Sequence, residues 1–175
     1  MLRWKPVLYT VGVAVALHAV FTIAIPWMLL DVTRDVPRLF VSLGPLRWVG
    51  IGLILAGAYL YIAIVVRLVA RNTSALPGQS PKVLETNSWY GHVRHPLLLG
   101  VVLILIGEAV AAQSLILLGY AVIYWVWLNF FVARYEEPEL RATFGEAYAS
   151  YSREVPRWIP RLTRYKGADR AHRQA

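Results

Sequence analysis

The chain has 175 residues, 58% of them hydrophobic, no cysteine, and a net charge of +8. One domain fits this length, and a water-soluble one would have to hide far more apolar surface than it can. The missing cysteines exclude disulfides, thiolate metal sites, a cysteine nucleophile and lipidation on cysteine.

Residues 1–5 followed by an apolar run look like the start of a signal peptide. The run over residues 7–30 is too long for an h-region and more apolar runs follow, which predicts an uncleaved first span. An outer loop with Pro37, Gly44 and Pro45 follows, then a second span over residues 48–69. Gly50, Gly52, Ala56 and Gly57 would let that helix approach a neighbour closely in lipid. Gly50-Ile51-Gly52 lies inside an apolar span with no preceding strand, so it is no dinucleotide loop.

Residues 70–93 turn polar, with Pro77, Gly78 and Pro81, and a long loop of this kind is a place to look for function. The sequon Asn72-Thr73-Ser74 falls on the inner side in this reading, where it would stay unmodified. Residues 97–133 exceed one span and break at Gln113-Ser114, which predicts a tight helical hairpin with a short first arm. The fourth span ends near Arg134. Leu140, Phe144, Ala147, Tyr148 and Tyr151 then recur at helical spacing, predicting an amphipathic helix over residues 136–151 against the inner membrane surface, mildly interrupted by Gly145. Residues 155–160 form a Pro-bounded strip with Trp158 suited to the interface. The basic residues 161–175 are expected to lie on anionic lipid or remain disordered.

The fold class is therefore all-α: an integral membrane bundle of about four spans, a single domain over residues 1–160 with a cytosolic amphipathic helix. With the N-terminus inside, 15 Lys and Arg fall inside and three (Arg34, Arg38, Arg47) outside, so both termini are expected in the cytosol. The membrane would be the cytoplasmic membrane of a bacterium or archaeon, or the endoplasmic reticulum of a eukaryote. The positive charge is a topology signal, and nucleic acid is not an expected partner.

Two polar clusters flank the hairpin: Tyr90, His92, Arg94, His95 and Pro96 before it, and Arg134, Tyr135, Glu136, Glu137 and Glu139 after it. Antiparallel arms bring both clusters to one membrane face. Arg94 and the histidines suit an anion, and Glu136 and Glu137 a cation or hydroxyls. Equally, the carboxylates are what any helix start favours. Of the polar residues inside the spans, His18 is expected to bond a neighbouring helix, Glu108 to snorkel or pair across the bundle, and Asn129 to join helices. His92 and His95 lack the i,i+4 spacing of helical zinc ligands, so no metal is expected.

These residues resemble the isoprenylcysteine carboxyl methyltransferase family and the related phospholipid methyltransferases. In register with a pattern Leu-Val-Thr-x-Gly-Pro-Tyr-Arg-x-x-Arg-His-Pro-x-Tyr-x-Gly stand Leu84, Thr86, Tyr90, Arg94, His95, Pro96 and Gly100. A second pattern is met by Glu136, Glu137, Leu140, Phe144, Gly145, Tyr148, Tyr151, Val155, Pro156 and Arg157. The resemblance covers residues 84–160. Ser88-Trp89 stands for Gly-Pro, Gly91 for Arg and Leu98 for Tyr. The resemblance implies an S-adenosylmethionine site in residues 82–160, lined by Leu84, Tyr90, His92, His95, Pro96, Leu99, Gly100, Glu136 and Glu137. Arg94, Glu137 and Arg157 would serve the transfer itself. Arg94 is expected to turn away from His95 toward the acceptor, as side chains alternate in an extended segment, with His95 beside the donor's carboxylate. The implied activity is methyl transfer to a lipid-associated or apolar carboxylate, amine or thiol. The partners would be membrane lipid and a small or lipidated acceptor. The competing readings are a non-catalytic scaffold or transporter subunit, and an NADPH-dependent membrane reductase.

Overall fold

The computed structural model describes residues 4–70, 84–165 and 167. The sequon, most of the polar loop after the second span and most of the basic tail lie outside the described residues. The elements are α1 (Trp4–Ala19), α2 (Ile25–Thr33), α3 (Arg47–Ala70), α4 (Pro96–Ala111), α5 (Leu115–Phe131) and α6 (Glu137–Glu154). Three long apolar helical runs and the shorter α4 make a membrane bundle of four spans. The 16 residues of α4 rise about 24 Å, short of a hydrocarbon core of about 30 Å. This is the short arm expected from the sequence.

Two helical runs contain a widened π turn, at Val20–Ala24 and at Val132–Glu136. Each turn ends two residues before a proline, Pro26 and Pro138. Proline has no N–H to donate and its ring crowds the carbonyl four residues back, here that of Thr22 or Arg134. The backbone relieves the crowding by widening. The first run therefore continues from α1 into α2. The second continues from α5 into α6, so the helix does not stop near Arg134.

α3 and α4 meet along a seam of glycines. A Cβ on Gly50 would lie 2.6 Å from the Gly107 carbonyl, and one on Gly57 would lie 2.6 Å from that of Gly100. The seam has a spacing of seven, the period that keeps one stripe of a helix facing its partner. Gly52 faces open space and takes no part. Next to the seam, α4 and α5 bury Val101, Val102, Leu105, Ala121, Tyr124 and Leu128. α1–α2 is fastened to α5 by the Tyr120 hydroxyl, which donates to the Phe21 carbonyl at 2.9 Å.

The α4–α5 turn places Gln113 at φ 57, and Ser114 caps α5 by accepting from the Leu117 amide. The Gln113 side chain accepts from the Leu43 amide at 2.7 Å, and its carbonyl from the Val41 amide at 2.9 Å. These bonds tie the outer loop to the α4–α5 turn. His18 bonds its own helix, its Nδ1 lying 2.7 Å from the Ala14 carbonyl, with its ring edge on Tyr61. Among the described residues the expected bond to a neighbouring helix is absent, since Ala14, one turn back, lies in reach.

α6 differs from a helix resting on lipid. Gly145 takes φ 52 and ψ −126, a sharp break. Tyr148 and Tyr151 are buried against Val155, Tyr165 and Leu84, with Leu140 and Phe144 alongside, while Ala147 is exposed. The apolar face is covered by the protein's own C-terminal strip.

Candidate active site at the polar end of the bundle

His95 ends an irregular segment and caps α4, with φ −122 and ψ 65, and Pro96 starts the helix. The widened turn before α6 presents Glu136 and Glu137 to this point. From Val155 the chain leaves α6 and folds back over residues 91–94. The Arg94 amide donates to the Pro156 carbonyl at 2.9 Å, the Arg161 amide to His92 at 3.0 Å and the Tyr165 amide to Gly91 at 3.0 Å. The strip thus stays bonded through Tyr165, past the expected boundary at Pro160.

Glu137 lies at the centre and is buried. Arg94 Nη1 donates to its Oε1 at 2.7 Å. Arg157 grips both oxygens, Nε on Oε1 at 2.9 Å and Nη2 on Oε2 at 2.7 Å. Such a fork is among the stronger and more directional ion pairs. His95 Nε2 is 3.5 Å from the same Oε1, and His95 Nδ1 is 3.3 Å from Glu136 Oε1. Burial opposes charge on Glu137, but the nearby His95 ring, the bonds from Arg157 and the charge of Arg94 hold its carboxyl down at about 2. Burial likewise works against protonated His95, yet Glu136 and Glu137 prevail and hold its pKa above the ordinary value. The centre therefore holds a carboxylate between two guanidinium groups, with an imidazole whose proton the carboxylates favour. Glu136 stands beside it with its side chain 39% exposed.

The sequence-predicted residues divide into groups. Arg94, His95, Glu136, Glu137 and Arg157 do come together. Arg94 does not turn away from His95: its amide is bonded to the returning strip at Pro156, and both side chains reach Glu137. The environment of His95 is anionic, which suits a donor's carboxylate poorly. Glu137, expected to touch donor and reacting groups, has its bonds taken by the two arginines. His92 is tied to the strip, with Nδ1 2.9 Å from the Arg161 carbonyl. Leu84 packs on the strip cluster, while Tyr90 and Leu99 pack on Leu60, Ile64 and Leu68 of α3. Pro96 is buried at the head of α4, and Gly100 belongs to the glycine seam with α3.

Two departures from the family pattern acquire reasons. Ser88 has φ 57, a backbone that glycine adopts without strain. A Cβ on Gly91 would meet Arg164 Cγ at 2.9 Å, so the folded-back strip takes the space a larger residue needs.

The sequence reading undervalued Asn129 and Trp158. Asn129 Oδ1 accepts from Trp158 Nε1 at 2.9 Å and from Arg157 Nη1 at 3.2 Å. This holds the strip to α5, and Trp158 packs on the α4–α5 core. A signal was present: Asn129 lies two turns before Glu136 on the same helical run. Buried polar atoms remain at the site. Arg94 Nε and His95 Nε2 have no hydrogen-bond partner among the described residues. Unsatisfied buried donors next to an exposed carboxylate fit a polar ligand.

A family model described as phospholipid methyltransferase matches residues 46–147, more than half of the chain. The match takes in α3, α4, α5 and the Glu136–Glu137 pair and stops before the strip. No curated protein matches the chain.

Proposed function

We propose a reaction for this protein on one premise: the chain belongs to the phospholipid methyltransferase family, and is a membrane methyltransferase. The reading is an S-adenosylmethionine-dependent enzyme that methylates a lipid-associated or apolar acceptor at the cytosolic face. One observation supports it above the others: Arg94 and Glu137, 43 residues apart, bond at 2.7 Å and gather His95, Glu136 and Arg157 around them at the end of the hairpin.

S-adenosylmethionine would supply an electrophilic methyl group on a sulfonium. Glu136, partly exposed beside His95, is the carboxylate available to a hydroxyl or ammonium group of the donor. Arg94 is held in place by Glu137 and by its own amide on Pro156, and it keeps a spare donor, Nε, for an acceptor oxygen. Glu136 and Glu137 favour the proton on His95, which makes it a poor proton acceptor. Positioning and exclusion of water, with little acid–base work, would carry catalysis. Tyr151 and the strip close the site from below, its hydroxyl donating to the Tyr90 carbonyl at 2.7 Å. Lipid reaches the site laterally along the bundle and a soluble donor from the cytosol, where the 15 to 3 division of basic residues puts both termini.

The test is methyl transfer. Protein in nanodiscs with labelled S-adenosylmethionine and a bilayer lipid extract is expected to move label into the organic phase. Arg94→Ala is expected to cut that transfer at least tenfold. A wild-type protein that transfers none, and instead oxidises NADPH, would overturn the reading.

A further inference from the structure

Beyond the Glu137 cluster, at the same end of the bundle, Arg67 of α3 faces Glu85. Their side chains are 26% and 13% exposed, and Arg67 Nη2 stands 3.6 Å from Glu85 Oε2. That separation is an ion pair too long for a hydrogen bond. Arg67 Nε is buried with no partner among the described residues.

Tyr90 connects this pair to the site. Its ring packs on Leu60, Ile64 and Leu68, on the helix that carries Arg67. Burial, and then the charges of Glu136 and Glu85, push its hydroxyl well above the usual range, so it stays a neutral donor. The charges of Glu136, Glu85 and Arg67 thus all act on this one phenol.

A guanidinium and a carboxylate set side by side, next to a neutral hydroxyl, complement a zwitterion. The guanidinium suits a carboxylate, the carboxylate an ammonium. His95, flanked by two carboxylates, is a poor seat for the same carboxylate. We propose that Arg67, Glu85 and Tyr90 form the subsite for the α-amino-acid end of the methyl donor, Arg67 taking its carboxylate and Glu85 its ammonium. This rests on the S-adenosylmethionine reading of the site.

Calorimetry on the full chain in detergent tests it with two probes. S-adenosylhomocysteine carries the amino-acid end. 5′-Methylthioadenosine has the same purine, ribose and thioether without it. Arg67→Gln is expected to weaken S-adenosylhomocysteine at least tenfold and leave 5′-methylthioadenosine unchanged. Glu85→Gln should follow the same pattern with a smaller change. Arg67→Lys, which keeps the charge and the fold, should recover part of the loss. Unchanged S-adenosylhomocysteine binding in Arg67→Gln would overturn the subsite while leaving the donor reading intact. Equal weakening of both probes, in Arg67→Gln and in Arg67→Lys, would show that the pair only pins the loop to α3, and would overturn it too. A wild-type protein that binds neither probe overturns the donor reading, and the subsite with it.

Discussion

The widened turns at Val20–Ala24 and Val132–Glu136 are the same backbone device in two settings. Both have five residues and both end two residues before a proline. The first carries Val, Phe, Thr, Ile and Ala at membrane depth. There the Phe21 carbonyl receives the Tyr120 hydroxyl of α5, and the Thr22 hydroxyl donates to His18 at 2.8 Å. Its product is a joint between helices. The second carries Arg134, Tyr135 and Glu136 at the polar end and hands on to Glu137. There the same widening aims two carboxylates at His95 and Arg94. A proline inside a long helix predicts where the backbone will depart from α. The side chains on the departing turn decide whether the result is structural or functional.

The largest way to break the comparison is to remove the group that the second turn presents. Glu137→Ala leaves Arg94 and Arg157 facing each other without their carboxylate. Breaking a buried ion pair on one side costs about 3 kcal/mol or more. Thermal unfolding in detergent is expected to shift down sharply, and the strip to become open to protease. Unaltered unfolding would mean that Glu137 is a solvated helix-start charge.

The prolines come next. Pro138→Ala lets residues 132–136 close into a regular α turn, which rotates Glu136 and Glu137 out of register with His95. Binding of S-adenosylhomocysteine should fall about tenfold, the order of one charge-assisted hydrogen bond. Pro26→Ala permits the same closure but touches no site residue, so binding should stay within twofold of wild type. Equal effects from the two variants would dissolve the distinction between the turns. A smaller effect belongs to Tyr120→Phe, which removes the bond to Phe21. It should lower stability by about 1 kcal/mol, typical of one hydrogen bond between membrane helices, with methyl transfer unchanged.

This contrast also shows what could be read in the sequence. Four spans, the short arm and its turn at Gln113 were legible because apolar length and a polar break are local signals. The meeting of Arg94 and His95 with Glu136 and Glu137 followed from the hairpin alone. The π turns were not anticipated. By sequence Pro138 also suits an ordinary helix start, and Pro26 is one more residue in an apolar run. The clamp on Glu137 was not legible either: alternation along an extended segment sends Arg94 the other way, and nothing local announces the strip that bonds the Arg94 amide at Pro156 and brings Arg157 onto Glu137. For the same reason α6 was expected on lipid: nothing local to residues 136–151 announces that Tyr165 and Val155 will return to cover it. The glycine seam was half legible. Gly50 and Gly57 stood out, but their partners Gly100 and Gly107 emerge only when α4 is laid against α3.

The smallest expected effect is pH dependence. His95 has a folded pKa above its ordinary 6.5, so its protonated form contributes stability fully below that value. The contribution is lost as pH rises through the raised folded pKa. Unfolding temperature in detergent should therefore decline as pH rises past 6.5, and decline less in Glu136→Gln. A flat profile in the wild type would mean that the two carboxylates do not hold the proton on His95.

The central claim is that the second turn aims Glu136 at a bound methyl donor. Calorimetry of S-adenosylhomocysteine with wild type and Glu136→Gln, at one pH and in one detergent, tests it most directly. Saturable binding to the wild type and a tenfold or greater loss in Glu136→Gln, with unfolding temperature little changed, is the predicted result. Equal affinity in the two proteins would contradict it.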